Sequence, residues 1–177
     1  MLDEHQLFRT SITQAHNFAR GYAYGFDFSW KGSITPSWSD YFNYSYLIAR
    51  GQDIEGGYFS GDIPITTGYQ YLDHMQKHTA NLGVTYSKDH FWWSTQSVFG
   101  SGLRTGSDNS VQLPAHITFD TSVGYDFGSP DMRGIRVSFD IVNILDNSYP
   151  ITIANGFNSS QYFAGRLLFL HFTKYLN

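Results

Sequence analysis

The chain has 177 residues, of which 18% are aromatic and 15% charged, with a net charge of −4 and no cysteine. It is therefore poor in charge beside an ordinary globular domain, which is about 25% charged. The lack of cysteine excludes disulfides and thiolate metal sites, and a negative chain without a basic run argues against nucleic acid as a partner. The acidic residues 1–6 do not begin a signal peptide, so we expect any export signal to lie elsewhere.

The first predicted strand, residues 18–33, is long and strictly alternating. Its even positions are aromatic from Phe18 to Trp30 except for Arg20, and its odd positions are small, polar or charged. Successive side chains of a strand point to opposite faces, so one face is aromatic and the other polar. Soluble strands average about 5–6 residues, whereas a tilted membrane strand needs about 9–11. The pattern favours a membrane strand.

Six further strands are predicted along the chain. The clearest alternation runs from Ile117 to Phe127, where odd positions are apolar, aromatic or Thr and even positions are Thr, Asp, Ser or Gly. The pair Trp92-Trp93 interrupts the alternation of another strand, whose faces we leave unassigned. The six predicted ranges are 38–49, 78–87, 90–100, 116–127, 135–145 and 162–175.

The connections between these strands alternate between short turns and long loops. Outer-membrane barrels have short periplasmic turns and long external loops, whereas long structureless loops count against a compact soluble domain. The sequence therefore predicts an all-β fold, an antiparallel transmembrane β-barrel segment of about seven strands. Bacterial single-chain barrels have even strand counts, and open edges in lipid leave backbone groups unsatisfied. We expect the segment to be part of a larger barrel.

Two motifs resemble a known family. Residues 137–149 read Val-Ser-Phe-Asp-Ile-Val-Asn-Ile-Leu-Asp-Asn-Ser-Tyr, and residues 162–166 read Tyr-Phe-Ala-Gly-Arg before a final apolar strand. This arrangement resembles the C-terminal end of TonB-dependent outer-membrane receptors. Residues 22–27 are similar to a Tyr-Gly-acidic strand of that family, and residues 78–82 to the opening of a later one. The resemblance covers about residues 18–175.

The resemblance implies that residues 1–177 form the C-terminal part of a receptor barrel, without a plug domain, in the outer membrane of a Gram-negative bacterium. Family barrels usually end on an aromatic residue, whereas this chain ends Leu176-Asn177. The implied partners are outer-membrane lipid, the remaining barrel strands and plug, and TonB only through that plug. The implied ligand is a small molecule, most often a ferric siderophore and less often haem, cobalamin or a sugar.

No catalytic residues, metal site or cofactor are predicted. Asp120 and Asp126 lie on the same face of their strand, and about 20 Å separates them, which is too far for a catalytic carboxylate pair. We expect such carboxylates to meet Arg136 or Lys31 in a polar lumen. His74 and His78 would converge on a metal only in a helix, and they fall at a loop-to-strand junction. No nucleophile motif such as Gly-x-Ser-x-Gly occurs, so the sequence predicts a protein that is not an enzyme.

Aromatic residues in the long loops, together with one cation, are the candidate ligand contacts. Rings and a guanidinium at the external mouth can hold an aromatic iron chelate by stacking and cation–π contact. The candidates are Tyr58, Phe59, Tyr69, Tyr71, Arg104 and Phe157.

Two alternatives remain open at this point. One is a small autonomous outer-membrane barrel, conceivably a lipid-modifying hydrolase. The other is a soluble β-sandwich that binds carbohydrate. The sandwich requires the aromatic face to pack against a second layer of the same chain.

Overall fold

The computed structural model of the chain describes residues 17–55, 68–106, 109–128, 134–153 and 160–174. Twelve strands lie in these ranges. Within them no helix offers the length and apolarity that crossing a bilayer requires. In chain order the strands are β1 (Asn17–Thr35), β2 (Trp38–Glu55), β3 (Gln70–Tyr71), β4 (His78–Lys88), β5 (Phe91–Gly100), β6 (Arg104–Thr105), β7 (Val111–Gln112), β8 (His116–Phe127), β9 (Ile135–Val142), β10 (Pro150–Thr152), β11 (Gln161–Tyr162) and β12 (Leu167–Lys174).

Seven long strands form one antiparallel meander in the order β1-β2-β4-β5-β8-β9-β12. The short β3 pairs with β2 beyond the point where β4 stops, and β6-β7 and β10-β11 form two small hairpins within the long connections. In the described residues the sheet does not close, because β1 and β12 each have one neighbour. The predicted all-β antiparallel fold of about seven strands is confirmed.

The two faces of the sheet differ as the alternation predicts. Residues directly opposite each other on paired strands lie on the same face of the sheet. Phe26 is opposite Tyr46 and Asp27 is opposite Ser45, so each face continues from one strand to the next. We call the face of Phe26 the ring-bearing face and the face of Asp27 the polar face. The polar face continues through Thr79 on β4, and the ring-bearing face through His78.

The ring-bearing face is uncovered except near the loop end, where Ile48 is buried against Met75. Phe26 is 58% exposed, Trp30 55% and Leu168 60%. Extensive contacts between strands occur only between hydrogen-bonded neighbours, so among the described residues no second layer faces the sheet. The described part of the chain therefore does not have the form of the predicted alternative, a β-sandwich, whose two layers would bury these rings.

Short and long connections lie at opposite ends of the sheet. The connections β1-β2 and β4-β5 have two residues each, and residues 128–134 join β8 to β9; we call this the turn end. The connections from β2 to β4, from β5 to β8 and from β9 to β12 meet at the other end, the loop end. The predicted alternation of turns and loops is therefore present.

The faces of Trp92 and Trp93, unassigned from the sequence, follow from an uninterrupted register. Trp92 is opposite Ser87 and lies on the polar face, whereas Trp93 is opposite Tyr86 on the ring-bearing face. Trp92 fits among small polar side chains because its other partner is Gly124, where a Cβ would collide with the indole ring. A residue without a side chain thus makes room for a large one.

Three predicted strand ends lie three or more residues from the strand ends in the structure. β2 continues to Glu55 rather than residue 49, because it stays paired with β1 and gains β3 on its other edge. β9 ends at Val142 rather than residue 145, because Asn143 takes a positive φ of 53°. β12 begins at Leu167 rather than residue 162, because Gln161–Tyr162 pairs with β10 instead.

The turn after β9 is built around Asn143, which is completely buried. Its Nδ2 donates to the carbonyl oxygens of Asn147 and Ala164 at 3.0 Å each, and its Oδ1 accepts from the Asn147 backbone N–H at 3.0 Å. Its own backbone N–H donates to Asp120 Oδ1 at 2.8 Å. The first of the two family-like motifs therefore has a structural role, which is to join the end of β9 to β8 and to the segment before β12.

Candidate functional site

Two of the predicted ligand contacts, Tyr71 and Arg104, lie against each other at the loop end. The Arg104 guanidinium carbon is 4.0 Å from the centre of the Tyr71 ring. Arg50 also contacts this ring, at 4.2 Å, and its Nη2 donates a 2.6 Å hydrogen bond to the Tyr71 hydroxyl. We call these three residues the Arg–Tyr cluster. The hydrogen bond from Arg50 lowers the pKa of Tyr71 below its ordinary value, because the guanidinium stabilises the phenolate.

Of the other predicted contacts, the structure describes only Tyr69. The Tyr69 ring packs edge-on against Tyr22 with their centres 4.9 Å apart. Tyr58, Phe59 and Phe157 lie outside the described residues. The ligand role of all these residues stays a prediction.

Sequence reasoning missed Arg50 because it ended the second strand at residue 49, directly before Arg50. The signal was present, since Arg50 continues the even-numbered phase of Tyr46 and Ile48. The register places Arg50 opposite Tyr22 on one side and Tyr71 on the other. All three residues therefore belong to the ring-bearing face.

A second aromatic group lies on the polar side of the loop end. The rings of His116 and Tyr149 are stacked with centres 3.8 Å apart, and Phe163 stacks on Tyr149 at 4.9 Å. We call His116, Tyr149 and Phe163 the ring column. His116 begins β8 on the polar face opposite Gly100, so the column starts at the rim of that face. Burial raises the pKa of Tyr149 above its ordinary value.

The ring column has a polar neighbour in the β3-β4 connection. Gln76 Oε1 is buried and has no hydrogen-bond partner. It lies with His116 over Gly100, where a Cβ would clash with both side chains. Sequence reasoning missed this group because its members come from the start of β8 and from two separate connections, and no spacing links them.

Below the rim, hydrogen bonds cross the polar face from strand to strand. The Tyr41 hydroxyl donates to Gln96 Oε1 at 3.1 Å, and Gln96 Nε2 donates to Asp120 Oδ2 at 2.9 Å. The other Asp120 oxygen accepts from Asn143, as described above. These bonds occupy one carboxylate of the polar face without any catalytic partner.

Two further carboxylates of this face, Asp126 and Asp140, are paired with an arginine and an imidazole. Arg136 makes a two-pronged pair with Asp126, at 2.5 Å from Nε and 2.8 Å from Nη2. His171 Nε2 is 2.8 Å from Asp140 Oδ2. The predicted meeting of a carboxylate with Arg136 on the polar face is confirmed.

We expect Asp126→Asn to have a small effect. Both side chains of the pair are more than one third exposed, and pairs of this kind contribute about 0–1 kcal/mol. The measurement is the unfolding free energy of the receptor in detergent micelles at low and high salt. A larger loss that does not diminish with salt would contradict the assignment of this pair to a hydrated surface.

His74 and His78, considered from the sequence as metal ligands, have separate partners. His74 Nδ1 is 2.8 Å from Asp73 Oδ2, and His78 Nδ1 is 2.8 Å from the Tyr44 hydroxyl. Nowhere in the described part of the chain do three or more His, Cys, Asp or Glu side chains gather as a metal site.

A one-layer antiparallel meander with an uncovered aromatic face, a polar face and loops gathered at one end defines a wall segment of a β-barrel. The family model described as "TonB dependent receptor-like, beta-barrel" matches residues 3–144, and the chain belongs to this family. The family's members are transporters of the outer membrane of Gram-negative bacteria.

A solved structure supports the same fold. The siderophore receptor PiuA from Acinetobacter baumannii matches with a TM-score of 0.69 and 21% identity, over 88% of this chain. The match covers 22% of the PiuA chain, so this chain spans about a fifth of that receptor's length. No curated protein sequence matches the chain significantly.

Proposed function

We propose that residues 1–177 form the C-terminal part of the barrel of a TonB-dependent receptor that imports a scarce ligand, a ferric siderophore. The segment supplies barrel wall, part of the polar lumen face and external loops. Family membership supports the receptor class. The fold likeness to a siderophore receptor is what favours this ligand over haem, cobalamin or a sugar.

The two open edges support a larger barrel rather than an autonomous one. β1 and β12 each present one unpaired side in the described residues. In lipid, unpaired backbone groups cost several kcal/mol each, so each edge needs a further strand. The remaining strands, a plug and TonB acting through that plug complete the proposed receptor.

The ring column is the observation that carries the ligand-contact proposal. Three rings, from β8 and from both sides of the β10-β11 hairpin, stack at the rim of the polar face. Siderophores that hold iron through catechol rings present flat aromatic surfaces, which stack on such rings for about 0.5–1.5 kcal/mol per pair. The polar face is the lumen side of the proposed barrel, so a ligand entering from outside passes this rim.

Removing the central ring of the column tests the proposal. We expect Tyr149→Ala to raise the KM for uptake of a radiolabelled ferric catecholate about 5–10-fold, because His116 and Phe163 lose the ring that holds them in one stack for the ligand. Tyr149→Phe keeps the ring and should leave the KM unchanged. The assay uses the receptor produced in its own outer membrane under iron limitation, with and without TonB.

Tyr162→Ala is the matched control, since Tyr162 precedes Phe163 but is 60% exposed and outside the column. Equal KM values for Tyr149→Ala and wild type would contradict the proposal that the ring column contacts the ligand. If deletion of the receptor caused no loss of ferric siderophore uptake, the proposed class of ligand would be wrong.

A further inference from the structure

The Arg–Tyr cluster lies on the wrong face for a lumen ligand site. Arg50 is opposite Tyr22 and Tyr71, and all three share the ring-bearing face. In a barrel wall the polar face lines the lumen and the apolar face meets lipid. We propose that Arg50 and Arg104 bind a phosphorylated lipid headgroup of the outer leaflet.

The position of the cluster along the strands fits a headgroup. Going along β1 toward the loop end, the ring-bearing face carries Phe26 and Tyr24, 58% and 57% exposed, and then Tyr22 beside Arg50. Amphipathic rings mark the level of the membrane interface. The guanidiniums come directly after these rings, so they are placed where lipid phosphates lie, and the cluster continues the lipid-facing surface.

The charge of this surface is positive. Arg20 is exposed two residues beyond Tyr22 on the same face, and Lys77 Nζ lies 5.7 Å from the centre of the Tyr46 ring. On this face the described side chains of β1 from Phe18 to Tyr24, and of β2 from 44 to 52, include no carboxylate. The nearby Asp73 is exposed and pairs with its neighbour His74 at 2.8 Å.

The geometry of the cluster suits a phosphate. A guanidinium presents several N–H groups in one plane and binds phosphate oxygens in pairs. Tyr71 holds both guanidiniums near one ring, so little side-chain freedom remains to be lost when an anion binds. Arg50 Nε is buried without a hydrogen-bond partner, and Arg104 Nη1 donates to the Ser110 carbonyl at 3.1 Å.

Binding of lipid A by the receptor tests this inference. The complete receptor is purified from outer membranes, and detergent removes its bound lipid. It is then titrated with lipid A, and binding is measured by native mass spectrometry. Attraction of about 1 kcal/mol per cation near an anionic surface implies that Arg50→Gln with Arg104→Gln weakens binding about 30-fold. Lysine at both positions keeps the charge but not the paired N–H groups, and should restore only part of the affinity.

The matched control removes two cations from the polar face, by Lys31→Gln with Arg136→Gln, and should leave the affinity for lipid A unchanged. Unchanged binding in the Arg50 and Arg104 variant, or an equal loss in the control, overturns the inference. In wild type, phosphatidylcholine nanodiscs containing lipid A should protect Arg50 and Arg104 from phenylglyoxal, whereas nanodiscs without it should not. This second measurement tests whether Arg50 and Arg104 bind lipid A even if the variants fail to fold.

Ligand uptake separates this inference from the proposed function. The Arg50 and Arg104 variant should import the ferric siderophore with an unchanged KM, and Tyr149→Ala should bind lipid A normally. A raised KM with unchanged lipid A binding would overturn the lipid inference and assign the cluster to the ligand, as the sequence predicts for Tyr71 and Arg104.

Discussion

Asn143→Ala should destabilise the barrel by about 3 kcal/mol or more, the largest effect expected of any single substitution in the turn after β9. Alanine removes the side chain that bonds Asn147 and Ala164, so three part-buried hydrogen bonds are lost. It also places a residue with no local hydrogen bond at a φ of 53°. The measurement is urea unfolding of the receptor in detergent micelles, followed by tryptophan fluorescence.

Two variants separate the backbone effect from the hydrogen bonds. Asn143→Gly accepts the positive φ but loses the bonds, so it should recover only about 1 kcal/mol of the loss. Asp89→Ala removes a non-glycine residue at a φ of 54° in an exposed two-residue turn, and should cost about 1 kcal/mol. If Asn143→Ala proved as mild as Asp89→Ala, the buried bonds would not hold this turn together.

Val123→Arg should cost about 2–4 kcal/mol, because it places a charge on the lipid-facing side of the wall near the bilayer midplane. Val123 is in the middle of β8, on the ring-bearing face opposite Phe139. The adjacent Ser122 is on the polar face opposite Asp140, so Ser122→Arg introduces the same charge beside a carboxylate and should cost less than about 1 kcal/mol.

The comparison is made by folding both variants into phosphatidylcholine bilayers and measuring the free energy of unfolding. Because both variants introduce arginine at neighbouring positions of one strand, they have the same net charge and the same strand propensity of the new residue. Equal losses at the two positions, or a larger loss for Ser122→Arg, would mean that the ring-bearing face does not meet hydrocarbon.

The prediction of the fold succeeded because its signal is local. Each long strand shows its two faces by alternation, and this period depends only on the extended backbone of a few successive residues. The strand of residues 116–127 has the predicted bounds in the structure. The prediction misplaced strand ends where pairing decided them: β2 runs on to Glu55 because β1 and β3 lie beside it.

The functional surfaces were predicted less well, for the same reason. Composition pointed to Tyr71 and Arg104 as loop residues, but no property of either one indicates that they meet Arg50 on the ring-bearing face. The ring column was not predicted at all, because Tyr149 is more than thirty positions from His116 in the chain. A signal for it could come only from knowing which strands are neighbours.

The sequence by itself thus determined antiparallel strands with an aromatic face and a polar face, joined in turn by short turns and long loops. That the strands form a single layer was decided by the structure. The tertiary structure alone decided which loop side chains touch and on which side of the wall each group lies. The alternation is a property of the strand backbone, which any short segment carries. Contacts at the loop end depend on where each of several strands stops relative to its neighbours, and that is set only when the whole sheet has formed.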